Sequence, residues 1–138
     1  MFRNPSDEAI QSILSRAQRI AVVGCSPDPR RDSHEVAQQL MGWGHTVFPV
    51  NPAVSEILGQ RCYARLSDVP RPVDMVDIFR RSEVVGPIVD EAIAIGATIV
   101  WMQLGVIDEA AAARAAGAGL TVIMDRCPLI EYRRLKGR

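Results

Sequence analysis

A chain of 138 residues with 16 basic and 16 acidic side chains carries no formal net charge at neutral pH. That balance argues against a broad electrostatic footprint for DNA or RNA, so any anion site has to be local. The length suits a single domain over residues 1–138, able to bury roughly 68% of its unfolded surface without a metal or a disulfide. Cys25, Cys62 and Cys127 are odd in number and far apart, with only His34 and His45 to accompany them. Neither a disulfide framework nor a metal site follows, and a reducing cytoplasm is the expected location. Residues 1–8 lack the apolar centre of a signal peptide, and no apolar run reaches the about 18 residues that a membrane span needs.

Asn4-Pro5-Ser6-Asp7 reads as a helix start, with Asn4 capping free amides, Pro5 at the first helical position and Asp7 complementing the dipole. Ile10, Ile13 and Leu14 give that helix one apolar face, to lie across a sheet ahead of its first strand. Strands are expected at 20–23, 46–50, 73–79, 98–102 and 120–124, all rich in Val and Ile. Their hydrophobicity is nearly continuous rather than alternating, which is the mark of a parallel sheet covered on both faces.

Between the strands the apolar spacing turns helical. Val36, Leu40 and Trp43 recur at intervals of three and four within 33–43, and Val85, Ile88, Val89 and Ala92 do the same. Pro87 sits awkwardly for a helix interior, so a loose turn over 82–85 should come first. Residues 108–116 form an Ala-rich helix capped by Asp108, and Gly44, Gly96 and either Gly117 or Gly119 stand where helices stop. Residues 61–64 read as a short edge strand, 66–72 as a loop with one helical turn, and the basic tail 133–136 as frayed.

Right-handed crossovers through these elements give an α/β fold, Rossmann-like and doubly wound. Its mostly parallel sheet of five to six strands should run 3-2-1-4-5-6, with the weak edge strand third and helices on both faces. Ligands of such sheets bind at the carboxyl ends of the strands, where the crossover direction reverses. Gly24-Cys25-Ser26, Asn51-Pro52, Phe79-Arg80-Arg81, Gln103-Leu104-Gly105 and Asp125-Arg126-Cys127 meet there.

The first of these turns is almost a dinucleotide fingerprint. Gly-x-Gly-x-x-Gly is replaced by Gly24, Ser26 and Pro29, and the acid that holds a ribose hydroxyl in NAD sites is replaced by Asn51. Gly24 lets backbone approach a ligand, and the helix start near Ser33 and His34 offers unsatisfied amides and a positive dipole. Ser26 and Ser33 add hydroxyls, while Arg30, Arg31, Arg80 and Arg81 supply guanidinium groups suited to bidentate phosphate contacts. A phosphate-bearing ligand is the reading of this set. Asn51 and Pro52 stand where a nucleoside would pass, and a neutral Asn tolerates a phosphate on the ribose.

Catalytic signals are thin, and no residue is assigned a catalytic role. Cys127, after Asp125-Arg126 at a helix start, is open to two readings: a thiol activated by the dipole, or a small buried residue before Pro128. Cys25 is open to the same two. His34 touches a phosphate or caps the helix, His45 has an exposed polar role, and neither has a carboxylate partner in sequence. Asp74, Asp77 and Glu131 form no paired-acid set.

Taken together, Ile20-Ala21-Val22-Val23-Gly24-Cys25-Ser26, Arg31-Asp32-Ser33-His34, Val47-Phe48-Pro49-Val50-Asn51-Pro52, Leu58-Gly59, residues 73–80, Trp101-Met102-Gln103-Leu104-Gly105 and Asp125-Arg126-Cys127 resemble the small stand-alone CoA-binding proteins. Their fold is similar to the CoA-binding domain of the succinyl-CoA synthetase α subunit, and the resemblance runs from about Ala17 to Leu135. It implies a site for the 3′-phospho-ADP end of coenzyme A, with Ser26 and Arg31 near phosphates, Asn51 and Pro52 near the nucleoside, and Phe79 and Arg80 on the far side. Asp32 departs from the proline expected between Arg31 and Ser33.

The ligases that the domain resembles also need a phosphorylatable-histidine domain and a nucleotide-grasping domain, so this chain alone should not make an acyl-CoA. The expectation is a module that binds coenzyme A or an acyl-CoA as a carrier, sensor or regulatory partner, with no nucleic acid and no membrane involved. A protein partner or self-association stays open. The rivals are an NAD(P)-binding Rossmann protein and a small thiol-dependent acyl-CoA enzyme using Cys127 or Cys25.

Overall fold

The computed structural model describes residues 1–136. Its sheet has five parallel strands: β1 (Arg19–Val23), β2 (Thr46–Val50), β5 (Met75–Ile78), β6 (Ile99–Met102) and β7 (Thr121–Ile123), ordered β2-β1-β5-β6-β7. A two-residue hairpin, β3 (Glu56–Ile57) with β4 (Gln60–Arg61), stands outside the sheet. The expected third-place edge strand is reduced to one parallel bridge between Tyr63 and Val50, closed by the Tyr63 N–H on the Pro49 carbonyl and the Asn51 N–H on the Tyr63 carbonyl. With Pro49 unable to donate, the outer edge of β2 offers an incomplete ladder.

The continuous apolar runs resolve into two faces with a period of two. Ala21, Val23, Val76, Ile78, Val100 and Met102 point toward α3 (Val85–Ala94) and α4 (Glu109–Gly117). Ile20, Val22, Met75, Ile99 and Trp101 point toward α1 (Asp7–Arg16), α2 (Asp32–Gly42) and α5 (Pro128–Leu135). Helix α1 packs against α5. The helix stops fall at Gly44, Gly96 and Gly119, each with a positive φ, and a 3-10 turn at Ser82–Val84 precedes α3.

Two local readings change. Ser6, not Asn4, caps α1 by accepting from the Ala9 N–H at 3.2 Å. Asn4 instead pairs its amide with both backbone groups of Met124, at 2.9 and 2.8 Å, and so ties the N-terminal segment to the end of β7. The tail is also held. Arg134 in α5 bonds Asp7 at 2.8 Å and Glu131 at 2.9 Å, and both acids raise its pKa. Tyr132 stacks on Trp43 at the end of α2, with ring centroids 3.9 Å apart.

Candidate functional site

Strand β1 ends at Gly24, whose φ of +83° turns the chain so that the N–H groups of Gly24 and Cys25 both reach the Val50 carbonyl, at 2.9 and 3.3 Å. A side chain there would meet the Phe79 carbonyl oxygen and the Cδ of Arg80, so backbone and Arg80 close over this position. The loop that follows is stiffened from within. The Ser26 N–H donates to Ser33 Oγ at 2.9 Å, the Asp28 N–H to Ser26 Oγ at 3.1 Å, and the Arg31 N–H to the Asp28 carbonyl at 3.0 Å. Each serine oxygen is used as an acceptor, which leaves its own O–H to donate.

Helix α2 starts at Asp32 with Arg31 as its N-cap residue and no side-chain cap. Among the described residues the N–H groups of Asp32 and Ser33 have no protein acceptor, whereas those of His34 and Glu35 fold back on the Arg31 carbonyl. Free amides at the positive end of an 11-residue helix are a general anion seat. Asp32 and Glu35 in the same turn set a counter-charge there, so a bound anion relies on the amides and on arginine.

A cleft of about 630 Å³ opens over this turn and extends across the sheet to the start of α5. It brings together Gly24, Ser26, Arg30, Arg31, Ser33, Phe79 and Gln103 of the residues singled out from sequence. The two loop arginines differ. Arg30 is engaged by Asp28 at 2.9 Å, an exposed pair that lowers the Asp28 pKa, while the Arg31 guanidinium makes no hydrogen bond or ion pair among the described residues and acts on Asp28 only through its charge.

The other expected residues stand around the cleft rather than in its lining. Asn51 spends its side chain on the chain itself, donating to the Cys25 carbonyl at 2.9 Å and accepting from the Ala53 N–H at 2.9 Å; it clamps the loop, with Pro52 exposed beyond it. His34, on the buried side of α2, has its Nδ1 unpartnered among the described residues and does not line the cleft. Arg80 and Arg81 are exposed, the latter heading the 3-10 turn. Gly105 donates to Asp125 Oδ1 at 2.7 Å and its carbonyl accepts from Ser82 Oγ at 3.3 Å, which fastens three strand-end loops. His45 is half-buried, bonding the Ala17 carbonyl through Nδ1 at 2.7 Å.

Cys25 lies fully buried under the loop, and burial, then Cys62 and Asp77, push its thiol up to about 12. That removes it as a nucleophile near neutral pH. Sequence reasoning missed Val106, Leu129, Ile130 and Arg133, which also line the cleft together with Leu104 and Cys127 from the strand ends. The signal lay in α5, where Leu129, Ile130 and Arg133 share one helical face.

The CoA binding domain family model matches residues 18–133, the span that contains the whole cleft. The chain belongs to this CoA-binding family. A relative in Bacillus subtilis, the uncharacterized protein YneT, is 40% identical over 126 residues, 91% of this chain and 93% of its own. A hypothetical protein from Pyrococcus horikoshii OT3 superimposes with a TM-score of 0.93 at 38% identity, covering 99% of each chain. The dinucleotide-forming acetyl-coenzyme A synthetase 1 of Ca. Korarchaeum cryptofilum aligns at a TM-score of 0.70 and 28% identity, over 78% of this chain and 26% of that one. The resemblance to stand-alone CoA-binding proteins holds, and the ligase aligned with the chain is an acetyl-CoA synthetase.

One feature of this member of the CoA-binding family falls outside the cleft. Asp77 of β5 sits between Val22 and Trp101, fully buried, and neither carboxylate oxygen has a partner among the described residues. Burial raises its pKa well above the usual carboxyl range. The folded chain therefore keeps a proton that the unfolded chain releases, and stability falls as pH rises from the ordinary carboxyl range toward the raised value, by about 1.4 kcal/mol per unit. Asp77→Asn abolishes that slope. Urea melts should show the two proteins similar near about pH 4 and the variant increasingly the more stable as pH rises from there toward neutrality; a wild type that gains on the variant as pH rises would contradict this.

Proposed function

We propose that the cleft holds the 3′-phospho-ADP end of coenzyme A or an acyl-CoA, and that the chain is a cytoplasmic binding, carrier or regulatory module without its own catalytic apparatus. The observation that carries the reading is the convergence, in one cleft, of two free helix-start amides, two serine hydroxyls and the unpaired Arg31. A diphosphate and a ribose phosphate need such donors, and charge-assisted bonds to them are the strong ones. Family membership supports the same ligand class. Against NAD, the end of β2 carries Asn51 with its side chain already committed.

A thermal-shift panel of coenzyme A, dephospho-CoA, NAD and NADP tests this. A ligand at a hundred times its dissociation constant stabilises a fold by about 2.7 kcal/mol, which a melt detects. Coenzyme A should raise the midpoint most, dephospho-CoA less, and NAD and NADP little. A shift with NADP equal to or above that with coenzyme A would overturn the assignment.

A further inference from the structure

We propose that Cys127, at the far end of the cleft, takes up coenzyme A covalently by thiol–disulfide exchange with coenzyme A disulfide. The inference deepens the proposed function and rests on the cleft being the coenzyme site. The two ends of the cleft differ in chemistry. Arg30 and Arg31 follow β1, whereas Cys127 lies on the segment after β7 that is bonded to Trp101 and Met102 of β6, two places from β1 in the sheet. Leu104, Val106, Leu129 and Ile130 line the cleft together with Cys127 and are apolar, with Arg133 the one charged side chain that α5 adds. Coenzyme A has the same polarity, phosphates at one end and a thiol at the other, joined by an arm carrying two amide groups.

A second observation is independent of the cysteine. Gln103 follows β6, between the two ends, and lines the same cleft. It is 6% exposed and its Oε1 has no partner among the described residues. A buried amide oxygen left without a donor is rare in a folded chain. An amide N–H of the pantetheine arm is the donor it lacks.

Cys127 itself is a free thiol, 8% exposed, and it heads α5, with Pro128 in the first position of the helix. The thiolate is the attacking species in such an exchange. The Trp101 Nε1–H holds the preceding Arg126 carbonyl at 2.9 Å and so fixes the loop that presents the sulfur. Cys25 and Cys62 lie outside the cleft lining, and burial raises the pKa of both. Thioester hydrolysis is the poorer alternative, because neither histidine lines the cleft to serve as a base.

The step is balanced without a further reactant. Cys127 gives its proton to solvent, its sulfur attacks one sulfur of the coenzyme disulfide, that S–S bond breaks, and the displaced coenzyme leaves as a thiolate that is then protonated. Cys127 is oxidised to a mixed disulfide and one coenzyme half is reduced. Excess reduced thiol reverses the exchange.

The test is to incubate the full, reduced chain with coenzyme A disulfide and to follow intact mass and the peptide map, with glutathione disulfide as a probe that lacks the nucleotide. Expected is one coenzyme A per chain, mapped to Cys127 and released by dithiothreitol, forming at least tenfold faster than the glutathione adduct. Cys127→Ser should give no adduct, and Arg31→Ala should slow the reaction with coenzyme A disulfide alone. An adduct on Cys25 or Cys62, or equal rates with both disulfides, would overturn the proposal. Titration of reduced coenzyme A into the wild type separates the two readings: binding without any adduct defeats the exchange only, whereas absence of both defeats the cleft assignment as well.

Discussion

Gly24→Ala is expected to destabilise the fold by about 3 kcal/mol and to weaken coenzyme A binding with it. At φ +83° a side chain costs about 1–2 kcal/mol before any contact is made. The added methyl also meets the Phe79 carbonyl and lies 2.9 Å from Arg80 Cδ. Arg80 can swing away, but the Phe79 backbone cannot move freely, because its N–H is bonded to the Val23 carbonyl at 2.8 Å. Relief must therefore come from the loop, and the loop carries Ser26 and the entry to α2. Gly42→Ala is the comparison: its methyl meets nothing, and removing a helix glycine should leave stability unchanged or raise it by about 0.5–1 kcal/mol. Urea midpoints at constant m-value read both; a Gly24→Ala protein as stable as wild type would mean that the turn relaxes without cost.

Arg31→Ala should weaken coenzyme A binding at least tenfold, about 1.4 kcal/mol, with little change in the melting of the free protein. Its guanidinium is exposed, lines the cleft and gives up no protein contact when a phosphate arrives. Removing it leaves a desolvated phosphate oxygen unpaired. Arg30 is the contrast. It must first leave Asp28, so part of what it gains from a phosphate is spent on the broken pair, and Arg30→Ala should lose less than about threefold. Calorimetric titration of the two variants checks the order; equal losses, or none at Arg31, would remove the loop from the binding site.

The layers of the fold were legible because their signals are local. Continuous Val and Ile runs mark strands covered on both faces, and glycine after α2, α3 and α4 marks their stops; both rules concern neighbours in sequence. The misreadings share the opposite cause. Asn4 satisfies the rule for a cap, yet its partner is Met124 at the far end of the chain, and Ser6 is left to cap α1. Asn51 is no misreading of this kind: it stands at the end of β2 as expected, and the loop after β1 passes close enough to bond its amide.

The apolar end of the cleft was hidden for the same reason. Cys127 was legible as a strand-end residue, but Leu129 and Arg133 become cleft residues only because α5 returns over the sheet beside α2, and nothing in the spacing of the final residues says where that helix lies. Asp77 shows the limit in another form. One acid inside an apolar run is compatible with an edge, a partner or burial, and only the neighbouring strands decide.

A crystal structure of the chain with coenzyme A is the most direct test of the central claim. The account predicts the diphosphate at the N–H groups of Asp32 and Ser33 with Arg31 folded onto it, and the pantetheine arm crossing Gln103 toward Cys127. Coenzyme A bound on another surface, or with its phosphates away from the start of α2, would contradict it.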